Sequence, residues 1–177
     1  MTTNEYLNLP ETVLPRELAF GIMHVRESPS ASHQRMVGQL FVTLRTHLRS
    51  SAAGEVWLAP LDVILDEPQA LVVQPDLFVL LDGTTCVVSD RVWGAPNLMI
   101  EVCSPQARVG DITRRLQWFA TYGIRECWLV HQPSRAIEVI QFGGGVSRRR
   151  GWHEEDEAIV SAVLPEFRES FTTIDAA

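Results

Sequence analysis

A mixed β-sheet flanked by helices, an α+β architecture, is what this chain predicts, and three observations carry that expectation. Residues 31–51 place Met36, Val37, Leu40, Phe41, Leu44 and Leu48 at the three- and four-residue spacing of one helix face. VVQPDLFVLL (72–81) and NLMIEVCSP (97–105) are apolar runs of strand length rather than helix length. The order of segments, one helix, several consecutive strands, a second helix and further strands, suits α+β or α/β packing around one mixed sheet.

Along the chain, the first thirty residues are punctuated by Pro10, Pro15, Gly21 and Pro29, and they predict a short helix near Leu14–Phe20 followed by a strand around Gly21–Arg26. The helix over 31–51 follows, with Ser32 as its N-cap and Gly54 ending the segment. In EVWLAPLDVILDEP, Leu61, Val63 and Leu65 alternate with Asp62, Ile64 and Asp66, which puts Asp62 inside a strand. Gln69–Leu81 is expected as the strand that carries Asp76, Asp82-Gly83 as a turn, and Thr85–Val88 as a short strand or part of an excursion. Asn97–Cys103 forms the second acidic strand, stopped by Pro105. Asp111 is placed to cap a helix through ITRRLQWFATYG, whose Ile112, Leu116, Phe119 and Ala120 share a face and whose stop is Gly123. CWLVHQ and AIEVIQF read as a hairpin or adjacent strands about Pro133-Ser134. VSRRRGW reads as a basic strand or loop, and the tail from Ala158 as a short strand with an amphipathic end.

The 177 residues suffice for one domain spanning 1–177, and 46% hydrophobic with 21% charged residues is the balance of a soluble globular chain. No apolar stretch reaches the roughly 18 residues of a membrane span, and the N-terminus lacks a basic region followed by an apolar core. A cytoplasmic protein with no membrane partner is expected. Cys86, Cys103 and Cys127 are odd in number and lie among apolar neighbours, which suits buried thiols better than disulfides or structural zinc.

A net charge of −7 excludes indiscriminate polyanion binding, so any nucleic-acid contact must come from a local patch. Arg148, Arg149 and Arg150 either track a phosphate backbone or solubilise an edge strand. All 15 basic residues are arginine. That removes Schiff-base chemistry, a lysine general base and a phosphate-loop lysine, while leaving arginine available as a phosphate clamp. Trp93 and Trp152 are the tryptophans best placed for exposure and base stacking.

Asp76 and Glu101 are the informative acids. Each lies in an apolar run, where an unpaired carboxylate costs several kcal/mol to desolvate. The 24 residues between them allow one excursion and a return to the same sheet. Two acids so placed repel each other unless a cation is shared, and oxygen donors of this kind suit Mg²⁺ or Mn²⁺. Two other readings stay open: Asp76 caps a turn after Pro75, and Glu101 pairs with an arginine.

In order, QPDLFVLLDG, GAPNLMIEVCSP and DITRRLQWFATYGIRECWLVHQPSRAIEVIQF resemble the Uma2 family of restriction endonucleases, part of the PD-(D/E)xK nuclease-like superfamily. The resemblance runs from about Ser28 to Phe167 and leaves 1–27 as an N-terminal segment. It implies a restriction-endonuclease-like core and a metal-dependent DNA endonuclease. Asp76 and Glu101 would be catalytic metal ligands, with the Val102 carbonyl as a third oxygen and Mg²⁺ or Mn²⁺ as cofactor. The superfamily lysine two residues after the glutamate is replaced by Cys103. In Uma2-like chains the lysine moves to the following helix, where Arg115, or else Arg114, stands here as the catalytic cation. His33 and Asp62 are candidate accessory residues beside the site, with Cys103 and Arg114. Duplex DNA is the implied partner and a homodimer the implied assembly, since two strands are cut. The alternative is an inactive nuclease-fold binding or assembly module that has lost the active-site lysine.

Overall fold

A computed structural model describes residues 1–177 apart from 11, 13, 52 and 104–108, and only the backbone of 109–110. The chain opens with α1 (Thr3–Leu7), the hairpin β1 (Arg16–Ala19) and β2 (Ile22–Val25), and the long α2 (Ala31–Ser51). Then follow β3 (Gly54–Leu58), β4 (Val63–Asp66), β5 (Leu71–Val73), β6 (Leu77–Leu81), β7 (Val87–Val88), β8 (Val92–Trp93) and β9 (Leu98–Val102). After α3 (Val109–Thr121) come β10 (Glu126–His131), β11 (Ala136–Gly143), β12 (Val146–Glu154) and α4 (Phe171–Asp175).

The expected central mixed sheet is one of two, each of six strands. Its order is β12-β11-β10-β9-β6-β3, with β9 and β10 parallel and the other neighbours antiparallel. The second sheet runs β2-β1-β5-β4-β8-β7. Side chains alternate across the central strands and separate two cores. Leu77, Val79, Leu98, Ile100, Val102, Trp128 and Val130 pack with α2 and the C-terminal tail. Phe78, Leu80, Met99, Cys127 and Leu129 pack with Leu116 and Phe119 of α3 and with Val63, Val73 and Val92 of the second sheet. Strands buried on both faces read as continuous apolar runs, which is why the two acidic strands are legible in sequence.

The helix expected at Leu14–Phe20 is instead strand β1. Phe20 and Gly21 adopt φ of 50° and 85°, which makes a two-residue hairpin turn, and cross-strand pairing from Arg16↔Val25 to Ala19↔Ile22 outweighs local spacing. The expected Gln69–Leu81 strand is two strands in different sheets. Pro75 has no N–H for a ladder, and the chain crosses between sheets at Gln74–Asp76. Asp62 lies just before β4 rather than inside a strand. α2 is capped by Ser30 rather than Ser32, since the Ser30 hydroxyl accepts from the His33 N–H at 3.2 Å. Asp111 sits within the first turn of α3 rather than before it. The stop assigned to Pro105 lies outside the described residues. No described helix is long and apolar enough to cross a membrane.

The tail carries no strand among the described residues; Glu126 anchors it. This fully buried carboxylate accepts from Trp128 Nε1 and Ala162 N, both at 2.8 Å, and from the Ser161 hydroxyl, which itself accepts from Leu164 N at 2.9 Å. Glu126→Ala strands these donors and should lower stability by about 3 kcal/mol in urea titration, with earlier proteolysis of the tail.

Candidate active site

The antiparallel ladder of β6 and β9 pairs Leu77 with Ile100, so its next step opposes Asp76 to Glu101. Opposed residues present their side chains to one face of a sheet. Here it is the α3 face, because Glu101 shares its parity with Met99 and Asp76 shares its parity with Phe78. Asp76 does not cap a turn after Pro75. Its Oδ2 accepts from the Val102 N–H at 2.7 Å, and its Oδ1 lies 3.2 Å from His33 Nε2. His33, in the first turn of α2, thus reaches the acid at the N-terminal end of β6. The hydrogen bond to Asp76 holds the His33 imidazole above its ordinary range, against the opposing pull of burial.

Glu101 is 8% exposed and is paired with arginine. Arg115 Nε donates to Glu101 Oε1 at 2.6 Å, while Arg115 Nη1 donates to both oxygens of Glu17 at 2.9 and 3.0 Å. The donors of Arg115 therefore go to two other elements and not to Asp111 one turn earlier. Arg115 lies three residues after Ile112 and four before Phe119, so helical spacing puts it at the border of the apolar stripe of α3, where it is buried. Glu17, on β1, also accepts from Gln74 N at 2.5 Å and from Arg26 Nη2 at 2.9 Å. Arg26 Nη1 lies 3.9 Å from Glu101 Oε2, an ion-pair distance.

Burial pushes the Glu101 carboxyl up to about 7; Arg115 pulls it down and Asp76 adds to the rise. For Glu17, burial also acts upward but is outweighed by Arg115, Arg26 and the Gln74 N–H, and the net shift is downward. Arg115 remains a cation, its loss of a proton made harder by both carboxylates despite its burial.

Glu17 and Arg26 were absent from the sequence-derived candidates. Glu17 carries the same signal as Asp76, an acid among apolar residues, but the sequence around Leu14–Phe20 predicts a helix, which hides it.

Of the other candidates, Asp62 lies beside the site without entering it. It accepts from Gln74 Nε2 at 2.9 Å, Tyr6 Oη at 3.2 Å and Arg91 Nε at 3.1 Å. Cys103 packs against the α3-side core, and burial, then Glu101 and Asp76, push its thiol up to about 12, which is unsuited to a thiolate nucleophile. Arg114 is exposed on α3. Arg148, Arg149 and Arg150 lie exposed on the edge strand β12, three strands from β9; Arg148 Nε donates to the Gly143 carbonyl and Arg150 pairs with Glu138 at 3.3 Å. Trp152 is 47% exposed, with one face stacked on His131.

Asp76, Glu101 and the Val102 carbonyl are hard oxygen donors, the type that suits Mg²⁺ or Mn²⁺. An extended residue points its N–H and C=O to the same strand edge, so the Val102 carbonyl shares the edge at which its N–H meets Asp76. No group of three His, Cys, Asp or Glu side chains that could hold a metal occurs among the described residues. A Mg²⁺ ion held by these three donors would take its remaining ligands from water.

A family model described as "Putative restriction endonuclease", Uma2, matches residues 3–175. The chain belongs to the Uma2 family. A crystal structure described as a putative nuclease of DUF820 from Anabaena variabilis superposes with a TM-score of 0.82 at 17% identity, over 99% of this chain and 98% of that one. At that identity the likeness shows the fold alone. No curated protein matches significantly.

Arg115→Ala leaves two buried carboxylates without their shared cation and should cost about 3–5 kcal/mol in chemical denaturation, a loss not expected for the exposed Arg114→Ala. In metal-free protein, the His33 imidazole should titrate above the ordinary histidine range in an NMR pH series. Asp76→Asn should move that titration down.

Proposed function

We propose that this Uma2 protein is a metal-dependent endonuclease that hydrolyses phosphodiester bonds of duplex DNA. The observation that carries the reading is the opposition of Asp76, the residue before β6, and Glu101 on the neighbouring β9, with the Val102 backbone at the same edge. Asp76, Glu101 and the Val102 carbonyl would hold Mg²⁺ or Mn²⁺. When bound, such an ion supplies Lewis-acid stabilisation of phosphate charge and lowers the pKa of water.

The other residues orient these donors. His33 and the Val102 N–H hold the two oxygens of Asp76, which sets the carboxylate plane. Arg115 holds Glu101 Oε1 and is itself steadied by Glu17, so Glu101 cannot swing toward the apolar core. Arg115 thus takes the place of the family lysine as a positioning cation. The exposed Arg148–Arg150 run on β12 suits contacts to a phosphate backbone flanking the site. A two-fold homodimer, in the cytoplasm, fits cleavage of both strands.

One observation favours a second reading, an inactive module that keeps the fold. The chain has no lysine, and Arg115 gives its Nε and Nη1 to protein carboxylates. A plasmid-nicking assay in Mn²⁺ or Mg²⁺ separates the two. Asp76→Ala and Glu101→Ala should each lower cleavage on the order of 1,000-fold, with melting checked in parallel. Equal cleavage by the parent and both variants would remove these acids from the chemistry. Absence of cleavage by the parent across linear, supercoiled and single-stranded DNA would favour the inactive module.

A further inference from the structure

Two guanidiniums flank the acids, and they differ in what they can still reach. Arg115 has a side chain 10% exposed, and two of its three nitrogens are committed to Glu101 and Glu17. Its remaining nitrogen, Nη2, is sealed from solvent and has no hydrogen-bond partner. A phosphate arriving from solvent does not reach that atom in this arrangement.

Arg26 is placed differently. It follows the last residue of β2, its backbone N–H is pinned to the Pro15 carbonyl at 2.8 Å, and its side chain is 38% exposed. Only Nη2 donates a hydrogen bond among the described residues, to Glu17, while Nη1 stands 3.9 Å from Glu101 Oε2. Four of its five N–H donors thus have no hydrogen-bond acceptor among the described residues, on a group that stands beside Glu101, and a guanidinium matches two phosphate oxygens at once.

We propose that Arg26 is the cation that contacts the scissile phosphate, with Glu17 as the anchor that aims it; this rests on the nuclease reading above. Arg115 then serves the acids, and Arg26 serves the substrate. An entering phosphate replaces the long Arg26–Glu101 pairing with a charge-assisted contact, while the Arg26–Glu17 bond keeps the guanidinium in place.

The test is fluorescence anisotropy of a labelled duplex oligonucleotide across a salt series, with Ca²⁺ in place of Mg²⁺, on the full chain. Arg26→Gln should reduce the slope of log affinity against log salt by about one, the loss of a single phosphate contact, and should lower nicking in Mn²⁺. Arg26→Lys should restore most of the slope. Arg49→Gln, at the far end of α2 about 24 Å along the axis from His33, should leave both unchanged. A parent that binds and cleaves DNA, with an unaltered slope in Arg26→Gln, would overturn the role of Arg26 and leave the nuclease reading standing. A parent that neither binds nor cleaves would remove the nuclease reading, and this inference with it.

Discussion

Arg115 ties three elements together through one buried group: α3 carries it, β9 presents Glu101 to its Nε, and β1 presents Glu17 to its Nη1. These strands belong to different sheets, so the guanidinium bridges the two sheets at the point where they face each other. Apolar packing alone would hold such layers together with less expense. Removing charges of this size from water costs several kcal/mol per ion even after relaxation, and mutual attraction repays that only with good geometry. The geometry is good, yet a well-packed apolar cluster would be at least as stable. Buried charge retained at such a place points to use rather than to stability.

The choice of arginine shapes what that use can be. Lysine offers a compact point charge, whereas guanidinium is planar and can satisfy two carboxylates from two edges at once. With Arg115 spread across Glu17 and Glu101, the cluster holds three acids, Asp76 included, against two arginines. A lysine-based site would keep a mobile ammonium for the reacting groups. Here the buried cation is committed to the acids, while the half-buried Arg26 keeps part of its guanidinium open to solvent, a difference of donor count and burial rather than of family pattern.

The sequence disclosed the elements whose apolar periodicity is strong. The α2 stripe from Met36 to Leu48, the strand from Leu98 to Val102 and the hairpin across Pro133-Ser134 all came from burial patterns that the folded cores then use. The ordered motifs likewise disclosed the family. What stayed hidden depended on contacts between segments distant in sequence. Glu17 lies 98 residues from Arg115, and no local signal joins them. RELAF looks helical until the turn at Phe20–Gly21 folds it onto β2. Asp62 sat in a promising pattern, but its partners, Tyr6, Gln74 and Arg91, come from three separate segments and consume its oxygens.

Asp76 owes its position to the crossover between sheets. β1 pairs with β5 through Leu18↔Val72 and Ala19↔Leu71, so that ladder carries Glu17 to the end of β5 beside Gln74. Pro75 interrupts β5, and the freed Gln74 N–H becomes a donor to Glu17, while the Gln74 side chain reaches Asp62. One break therefore does three things: it ends β5, sets Asp76 opposite Glu101 just before β6, and leaves the Gln74 N–H for Glu17, which the β1–β5 ladder brings to that end. The proline of the PD pair is thus as much a part of the site as the aspartate, because it creates the backbone vacancy around which the charges assemble.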